Sequence, residues 1–453
     1  MSLLAEYVRE FGRFQRNARL YLVSNALVGI STGILLVLYN LYLVSLGYGT
    51  DFIGLVLFMG TIGAGVAIFP AGICVDRFGG KIVLILNYLT FGVAGAGQIL
   101  FRQPLPLLAS GFVAGVITAF ALVVNAPFLT ANSTAEERSH LFSLNIVLQL
   151  GTTVLGEVLG GALPVWFRTI PQLMAPLPAQ LGWLLASQHE PRSYQLALLF
   201  AGLLAVPSLV PLFLLSDDRP ASVLPQPTSF VQNIFVRLST WRREVQLQKV
   251  LFSPFFTLLL VQILVGLGAG LFIPYFNVYF VQHLKASSAL FGVIDGGANA
   301  MNAVLTLVAP WLAMRIGKVK TVTVTRLLGI PLLLAIGLTN LLPLAAILYL
   351  FRQGTTDMAM GVFQVYSMEA VPPQRRGLAN SSYQAGMQVA WAATTPLGGL
   401  LIARMGYLPV FIGGAILYML AIGVLWVRFG RGREEPENGD RTDGKETAEV
   451  TRG

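Results

Sequence analysis

Glu157, Asp295, Arg352 and Asp357 stand inside runs of residues that are otherwise almost entirely apolar. A charge at the centre of such a run costs about 2.5–3.5 kcal/mol on insertion scales, so each must face a cavity or a partner. Low dielectric favours the neutral acid over the carboxylate, which makes Glu157, Asp357 and Asp295 candidates to carry a proton. Thr153 lies one turn before Glu157 and Gln149 two, a polar stripe on one helical face. The competing reading of Glu157 is structural: a carboxyl group hydrogen-bonded to nearby hydroxyls or paired with an arginine. Arg352 and Asp357 are five residues apart, about 140° around a helix, so the spacing predicts partners on other helices. Glu157 and Asp295 both fall toward the outer half of their runs. Three carboxylates against one arginine leave negative charge in surplus, and coupled acids tend to keep a proton. The alternative for Arg352 is a fixed ion pair with one carboxylate.

The elements that must hold these residues follow from composition. The 453-residue chain is 55% apolar and 11% charged, with a mean hydropathy of +0.70, whereas soluble domains carry roughly 25% charge. Such a chain belongs in a bilayer. A spanning helix needs about 20 apolar residues, and twelve runs qualify: 20–46, 52–75, 82–101, 105–129, 141–166, 194–215, 251–281, 289–313, 321–340, 342–368, 380–403 and 408–428. Continuous apolar runs, without the alternation of a barrel strand, predict an all-α membrane protein of twelve transmembrane helices.

The second half repeats the first at an offset of 238 residues. Gly54 returns as Gly292, Arg77 and Gly79 as Arg315 and Gly317, Arg138 as Arg376, Ser143 as Ser381, and Gly160-Gly161 as Gly398-Gly399. Asn40 and Tyr42 return as Asn277 and Tyr279, one residue short of that offset. Duplication predicts two six-helix lobes with a site between them. The expected divisions are an amphipathic interfacial segment at 1–19, lobes at 20–215 and 251–428, a linker at 216–250 and a disordered tail at 429–453. The outer loop 167–193 is proline-rich, with an apolar stretch around Trp183 that is expected to rest on the membrane surface.

With both termini cytoplasmic, inner segments hold 23 of the 30 lysines and arginines and outer loops five, the other two being Arg326 and Arg352 within spans. That asymmetry predicts cytoplasmic termini in a cell membrane, and it accounts for the formal charge of +9 without nucleic-acid binding. Cys74 is the single cysteine, so no intrachain disulfide is possible. His140, His189 and His283 fall in or beside loops, so no metal site or histidine relay is expected. Without a phosphate-binding loop or a nucleophile–base pair, no enzyme activity and no cofactor are expected.

Between the second and third runs, Gly72-Ile73-Cys74-Val75-Asp76-Arg77-Phe78-Gly79-Gly80-Lys81 resembles the signature loop of the major facilitator superfamily, with Gly80 where a basic residue is usual. The resemblance covers residues 20 to 428 and implies a conformational latch formed by Gly72, Asp76, Arg77, Gly79 and Lys81; a plain positive-inside turn is the alternative. Gly156-Glu157-Val158-Leu159-Gly160-Gly161 looks like the Gly-Pro-x-x-Gly-Gly motif of the drug–proton antiporter branch, with glutamate in place of proline. In that family the first, fourth, seventh and tenth spans line a central cavity and the fifth and eighth meet across the lobe interface, which implies that Glu157 and Asp295 approach each other or Arg352. The resemblance therefore implies substrate contacts among Tyr39, Asn40, Asn125, Tyr275, Asn277, Arg352 and Gln364, with Asn299 and Trp391 from flanking helices. Each of these equally suits interhelical hydrogen bonding or packing, and Gly92, Gly95 and Gly97 suit tight helix contacts.

The function these features point to is secondary active transport by alternating access: proton-coupled efflux of hydrophobic or amphiphilic small molecules by a monomer among membrane lipids. A proton symporter or uniporter of a small organic solute is the second reading, and a lipid scramblase or membrane sensor a third.

Overall fold

The computed structural model describes residues 11–12, 14–134, 137–176, 178, 182, 184–216, 253–372 and 376–430, which contain twelve long helical stretches and no strand. Trp183, residues 217–252 with all but the first residue of the expected 216–250 linker, the tail beyond 430 and most of the expected interfacial segment at 1–19 lie outside the described residues, as does the Asp76 side chain. The helices are α1 (Arg16–Ser45), α2 (Thr50–Phe78), α3 (Gly80–Leu100), α4 (Pro104–Ala131) and α5 (Arg138–Arg168). Next come α6 (His189–Phe213) and α7 (Pro254–His283), then α8 (Ser288–Ile316), α9 (Lys318–Leu338) and α10 in two segments, Leu342–Asp357 and Met360–Glu369. Last are α11 (Arg376–Met405) and α12 (Leu408–Phe429).

Local chemistry sets several of these limits. Pro104 and Pro254 begin helices, where a missing N–H costs nothing. Ser253 and Ser287 cap α7 and α8 by accepting from the N–H groups of Phe256 (3.2 Å) and Leu290 (3.1 Å). Gly79 and Gly317 join α2 to α3 and α8 to α9 with φ of 81° and 89°, a left-handed turn that a side chain would strain. Among the described residues ten helices are long and apolar enough to cross a membrane. The remaining two are α11, whose first half carries Asn380, Ser381, Ser382, Gln384 and Gln388, and α10. The single run expected at 342–368 is thus corrected to two segments, interrupted at Met358 and Ala359.

Pseudo-symmetry runs through the packing. Tyr42 donates to the Ile99 carbonyl at 2.7 Å and its repeat mate Tyr279 to the Ile336 carbonyl at 2.6 Å. In each lobe the first helix lies against the fifth: Gly160 meets Ile34 on α1, and Gly398 meets Leu271 on α7. Close approach of backbones through small residues is how membrane helices pack without a hydrophobic drive. Gly92 and Gly95, expected to serve this purpose, face open space, and only Gly97 meets a neighbour, at Ser110 and Phe101.

The lobes join at the end of the bundle away from where α1 begins and α12 ends, called the far end below, opposite the terminal end. Asn40 donates to the Pro274 carbonyl at 2.8 Å, and its repeat mate Asn277 donates to the Val37 carbonyl at 3.2 Å. Two seams flank this contact. On one, Ser288 of α8 donates to the Gly161 carbonyl of α5 at 3.0 Å; on the other, Thr50 of α2 donates to the Gly399 carbonyl of α11 at 2.8 Å. The two bonds are the same bond, 238 residues apart in both partners.

Candidate functional site

Glu157 lies on the α5–α8 seam, one turn from Gly161, with 2% of its surface exposed. Gly156 and Gly160 bring this stretch of α5 onto Ile30 and Ile34 of α1, while Gly161 brings it onto α8. The motif glycines thus press the glutamate's backbone into contact with both lobes. Its two carboxylate oxygens each accept from Asn299 Nδ2 at 3.0 Å. This is a charge-assisted bond across the lobe interface, of a kind worth about 1.5–3 kcal/mol. Asp295, one turn before Asn299 on α8, is near enough for its charge to act on Glu157, and it accepts from the Tyr349 hydroxyl at 2.7 Å.

A second polar group fills the core of the C-terminal lobe. Arg352, 1% exposed, has its guanidinium over the rings of Phe272 (4.9 Å) and Phe276 (5.7 Å). It donates to Gln353 Oε1 at 2.9 Å, and Gln353 Nε2 donates to Asp357 Oδ2 at 2.8 Å. Partners from other helices are present as expected, Arg352 donating to the Tyr418 hydroxyl of α12 at 3.5 Å, but the link between Arg352 and Asp357 is made within their own helix. Gln353 adjoins the arginine and stands one turn from the aspartate, so one side chain bridges an angle the ions cannot span themselves. The count of one arginine is corrected. Arg326 of α9 is buried, lies over Phe363 at 5.1 Å, and acts electrostatically on Asp357. Two arginines therefore face three carboxylates, and the excess negative charge is one. Replacing Gln353 by leucine should lower thermal stability in detergent by about 1–3 kcal/mol, because it strips a hydrogen bond from a desolvated carboxylate.

The cluster breaks the molecule's own symmetry. The repeat mates of Glu157, Asp295 and Asn299 are Thr395, Leu57 and Thr61. Thr395 donates back to Trp391 in its own helix at 2.9 Å, and Thr61 to Leu57 at 3.1 Å. The α2–α11 seam closes with ordinary residues, so the buried acids on the α5–α8 seam are not demanded by the fold.

The other candidates are distributed over several environments. Asn40, Asn277 and Tyr275 are occupied in contacts at the far end, Tyr275 donating to the Thr395 carbonyl. Tyr39 is buried with a hydroxyl that meets no partner, and Asn125 has an unpartnered side-chain oxygen. Trp391 packs its carbonyl against Gly270, whereas Gln364 is exposed. In the loop motif, Gly79 makes the turn, Lys81 donates to the Leu215 carbonyl at 2.6 Å, and Arg77 lies over Phe78 at 5.5 Å. Helix α2 continues through Asp76 and Arg77, so these residues end a helix instead of occupying a loop, and Gly72 faces open space. Tyr349, Gln353 and Arg326 were not picked out as site residues. Gln353 is detectable by spacing on α10, since it stands four residues before Asp357; nothing in the sequence marks Tyr349 as the partner of Asp295. Among the described residues no group of three or more His, Cys, Asp or Glu is placed to hold a metal ion.

Two pseudo-symmetric bundles of membrane-spanning helices, joined at one end around buried ionisable groups, define an integral multi-pass membrane transporter and not an enzyme. The chain belongs to the Major Facilitator Superfamily, which matches residues 21–261 and again 258–452. Among solved structures it is similar to a bacterial homologue of the human lysosomal transporter Spinster in an inward-facing, unoccupied conformation, with 14% identity, TM-score 0.69, and coverage of 91% of this chain and 96% of that one. A bacterial homologue of the iron transporter ferroportin, inward-facing, aligns with 16% identity and TM-score 0.67 over 94% and 99% of the two chains. A D-xylose–proton symporter aligns with 15% identity and TM-score 0.65 over 91% and 97%. At these identities the likeness concerns the fold.

Proposed function

We propose that this protein is a secondary transporter that exports hydrophobic or amphiphilic small molecules by alternating access, driven by a proton that moves on and off Glu157. The observation that carries the reading is the Asn299–Glu157 bond, because it spans the two lobes and engages both oxygens of one carboxylate. With the far end closed, Asn299 stabilises the ionised acid. When the far end opens, α5 and α8 separate, the bond is lost, and the carboxylate is free to take a proton from that side. Closure then returns Asn299 and displaces the proton toward the terminal end. A ligand shifts such an equilibrium only by its differential affinity for the two states, and this bond supplies the difference. The distribution of basic residues supports a cytoplasmic terminal end, and on that reading the described state faces inward. Inward proton flow is then matched by outward substrate flow.

An amphiphilic substrate is supported by the surfaces below the seam. From Gly161 toward the terminal end α5 exposes Ile146, Val147 and Leu150, and α8 exposes Val304, Leu307 and Trp311. Apolar surface of this kind suits apolar compounds better than sugars or phosphates, which require arrays of hydrogen-bonding or basic groups. The test is flux of a panel of lipophilic cations and neutral amphiphiles in liposomes holding the purified protein under an imposed pH gradient. Uphill accumulation abolished by an uncoupler is the expected result; flux that only ever runs downhill and ignores the gradient would overturn proton coupling.

A further inference from the structure

The core of the C-terminal lobe holds more hydrogen-bond donors than it uses. Arg326 of α9 is 6% exposed, and its Nη1 meets no partner among the described residues. Arg352 of α10 is more deeply buried still, and its Nε is likewise unpartnered. Tyr418 of α12, 5% exposed, accepts from Arg352 Nη2 at 3.5 Å, and its own hydroxyl proton goes to no described acceptor. Thr356 Oγ1 is buried without a partner and lies against Gly329, one turn after Arg326 on α9. Buried polar groups are ordinarily hydrogen-bonded, so several unused donors in one place call for an acceptor. Each guanidinium lies over a ring, Arg326 over Phe363 and Arg352 over Phe272. Such stacking covers the flat face of the group and leaves its N–H edge for another partner.

The charges are unbalanced in the same sense. Asp357 is acted on by both arginines, whereas Glu157 and Asp295 take their hydrogen bonds on the seam, from Asn299 and Tyr349. Two guanidinium groups against one carboxylate leave this part of the lobe one positive charge in excess, and an uncompensated buried charge is costly. The repeat mates of Arg326, Arg352 and Asp357 are Tyr88, Ala114 and Ala119. The N-terminal lobe is built without these charges, so the fold does not demand them.

We propose that Arg326, Arg352 and Tyr418 hold a resident chloride ion between α9, α10 and α12. The ion accepts from Arg326 Nη1, Arg352 Nε and the Tyr418 hydroxyl, with the Thr356 hydroxyl on the same side of α9. A monovalent anion cancels the excess of one charge. A water molecule would accept from two of the donors and leave the charge as it was. Enclosure among side chains this deeply buried suits an ion of one atom better than a phosphate or a carboxylate. The ion is a structural ligand of the C-terminal lobe, and its presence does not depend on what the protein transports or on Glu157.

Thermal unfolding of the purified protein in detergent tests this, with sodium chloride compared against sodium gluconate at equal ionic strength. A ligand that binds only the folded chain raises the melting temperature in proportion to its occupancy. Chloride should raise it by at least about 3 °C and gluconate should not. Tyr418→Phe keeps the ring and removes one donor to a charged group, so about tenfold more chloride should be needed for the same shift. Arg326→Met removes the excess charge; it should abolish the chloride dependence and melt above wild type in gluconate. An arginine needed only for packing would give the opposite order in gluconate. Should Arg326→Met fail to fold, judged by its elution profile, Tyr418→Phe decides alone. Equal melting of the wild type in the two salts would overturn the proposal. A chloride shift left intact by the variants would overturn it as well, by placing the ion elsewhere, and so would gradient-driven chloride flux in liposomes, by making the ion cargo.

Discussion

Glu157→Gln should lower pH-gradient-driven flux by at least about tenfold while substrate exchange without a gradient continues. Glutamine keeps the size and polarity of the side chain but carries no exchangeable acid proton, so a coupling role and a structural role separate in these two measurements. The magnitude follows from the bond to Asn299. Hydrogen bonds to charged groups are worth about 1.5–3 kcal/mol, and 1.4 kcal/mol is about tenfold in an equilibrium constant. In the variant the far-closed state no longer discriminates between protonated and ionised forms, so a pH difference has nothing to act on. In the wild type the balance between far-closed and far-open states should depend on pH, because the Asn299 bond engages the carboxyl group in one state only; in the variant that dependence should vanish. Asn299→Leu attacks the same bond from the other lobe and should weaken far-end closure most at high pH, when the acid it abandons is charged. Equal losses of driven flux and exchange in Glu157→Gln would make the residue structural and turn attention to Asp357 and Asp295.

How much of this was visible beforehand differs between fold and site. The repeat was legible because glycines recur at one offset and a tyrosine one residue short of it, and the contacts show why the tyrosine does: Tyr42 and Tyr279 make the same bond in each lobe, with Ile99 and Ile336. Eleven of the twelve runs map onto single helical stretches, because a long apolar run in a bilayer has no other way to satisfy its backbone. The interruption of α10 was hidden, since Asp357-Met358-Ala359-Met360 contains neither proline nor glycine to announce it. The site was legible as a set of residue types and illegible as a set of pairs. Helical angles correctly denied Arg352 a direct bond to Asp357, yet the bridging amide of Gln353 lay outside an argument that considered only charges. Asn299 was marked as a cavity residue, but its engagement with Glu157 depends on how α8 from one lobe meets α5 from the other, which no local spacing encodes.

Gly161→Val is expected to open the far end. A Cβ at this position would collide with the Ser288 carbonyl oxygen and lie 3.0 Å from the Gly292 Cα, so both backbones on the seam must retreat. Overpacking of a tight contact costs about 1–3 kcal/mol, roughly 5- to 150-fold in the balance between closed and open states. The single cysteine makes the measurement direct. In a Cys74→Ser background, Thr50→Cys places a thiol on the opposite seam, at a position 9% exposed when the lobes meet. Gly161→Val should raise its labelling by a membrane-impermeant maleimide at least about fivefold, although the two sites lie on different seams. Gly399→Val, with Ser288→Cys as reporter, should do the same in mirror fashion, since Gly399 meets Thr50 as Gly161 meets Ser288. Opening confined to the mutated seam would show that the lobes bend locally and do not rotate as units. Opening at both would tie Glu157 to the whole motion, because separation of α5 from α8 removes Asn299 from the acid at the same step that exposes the site to the far side.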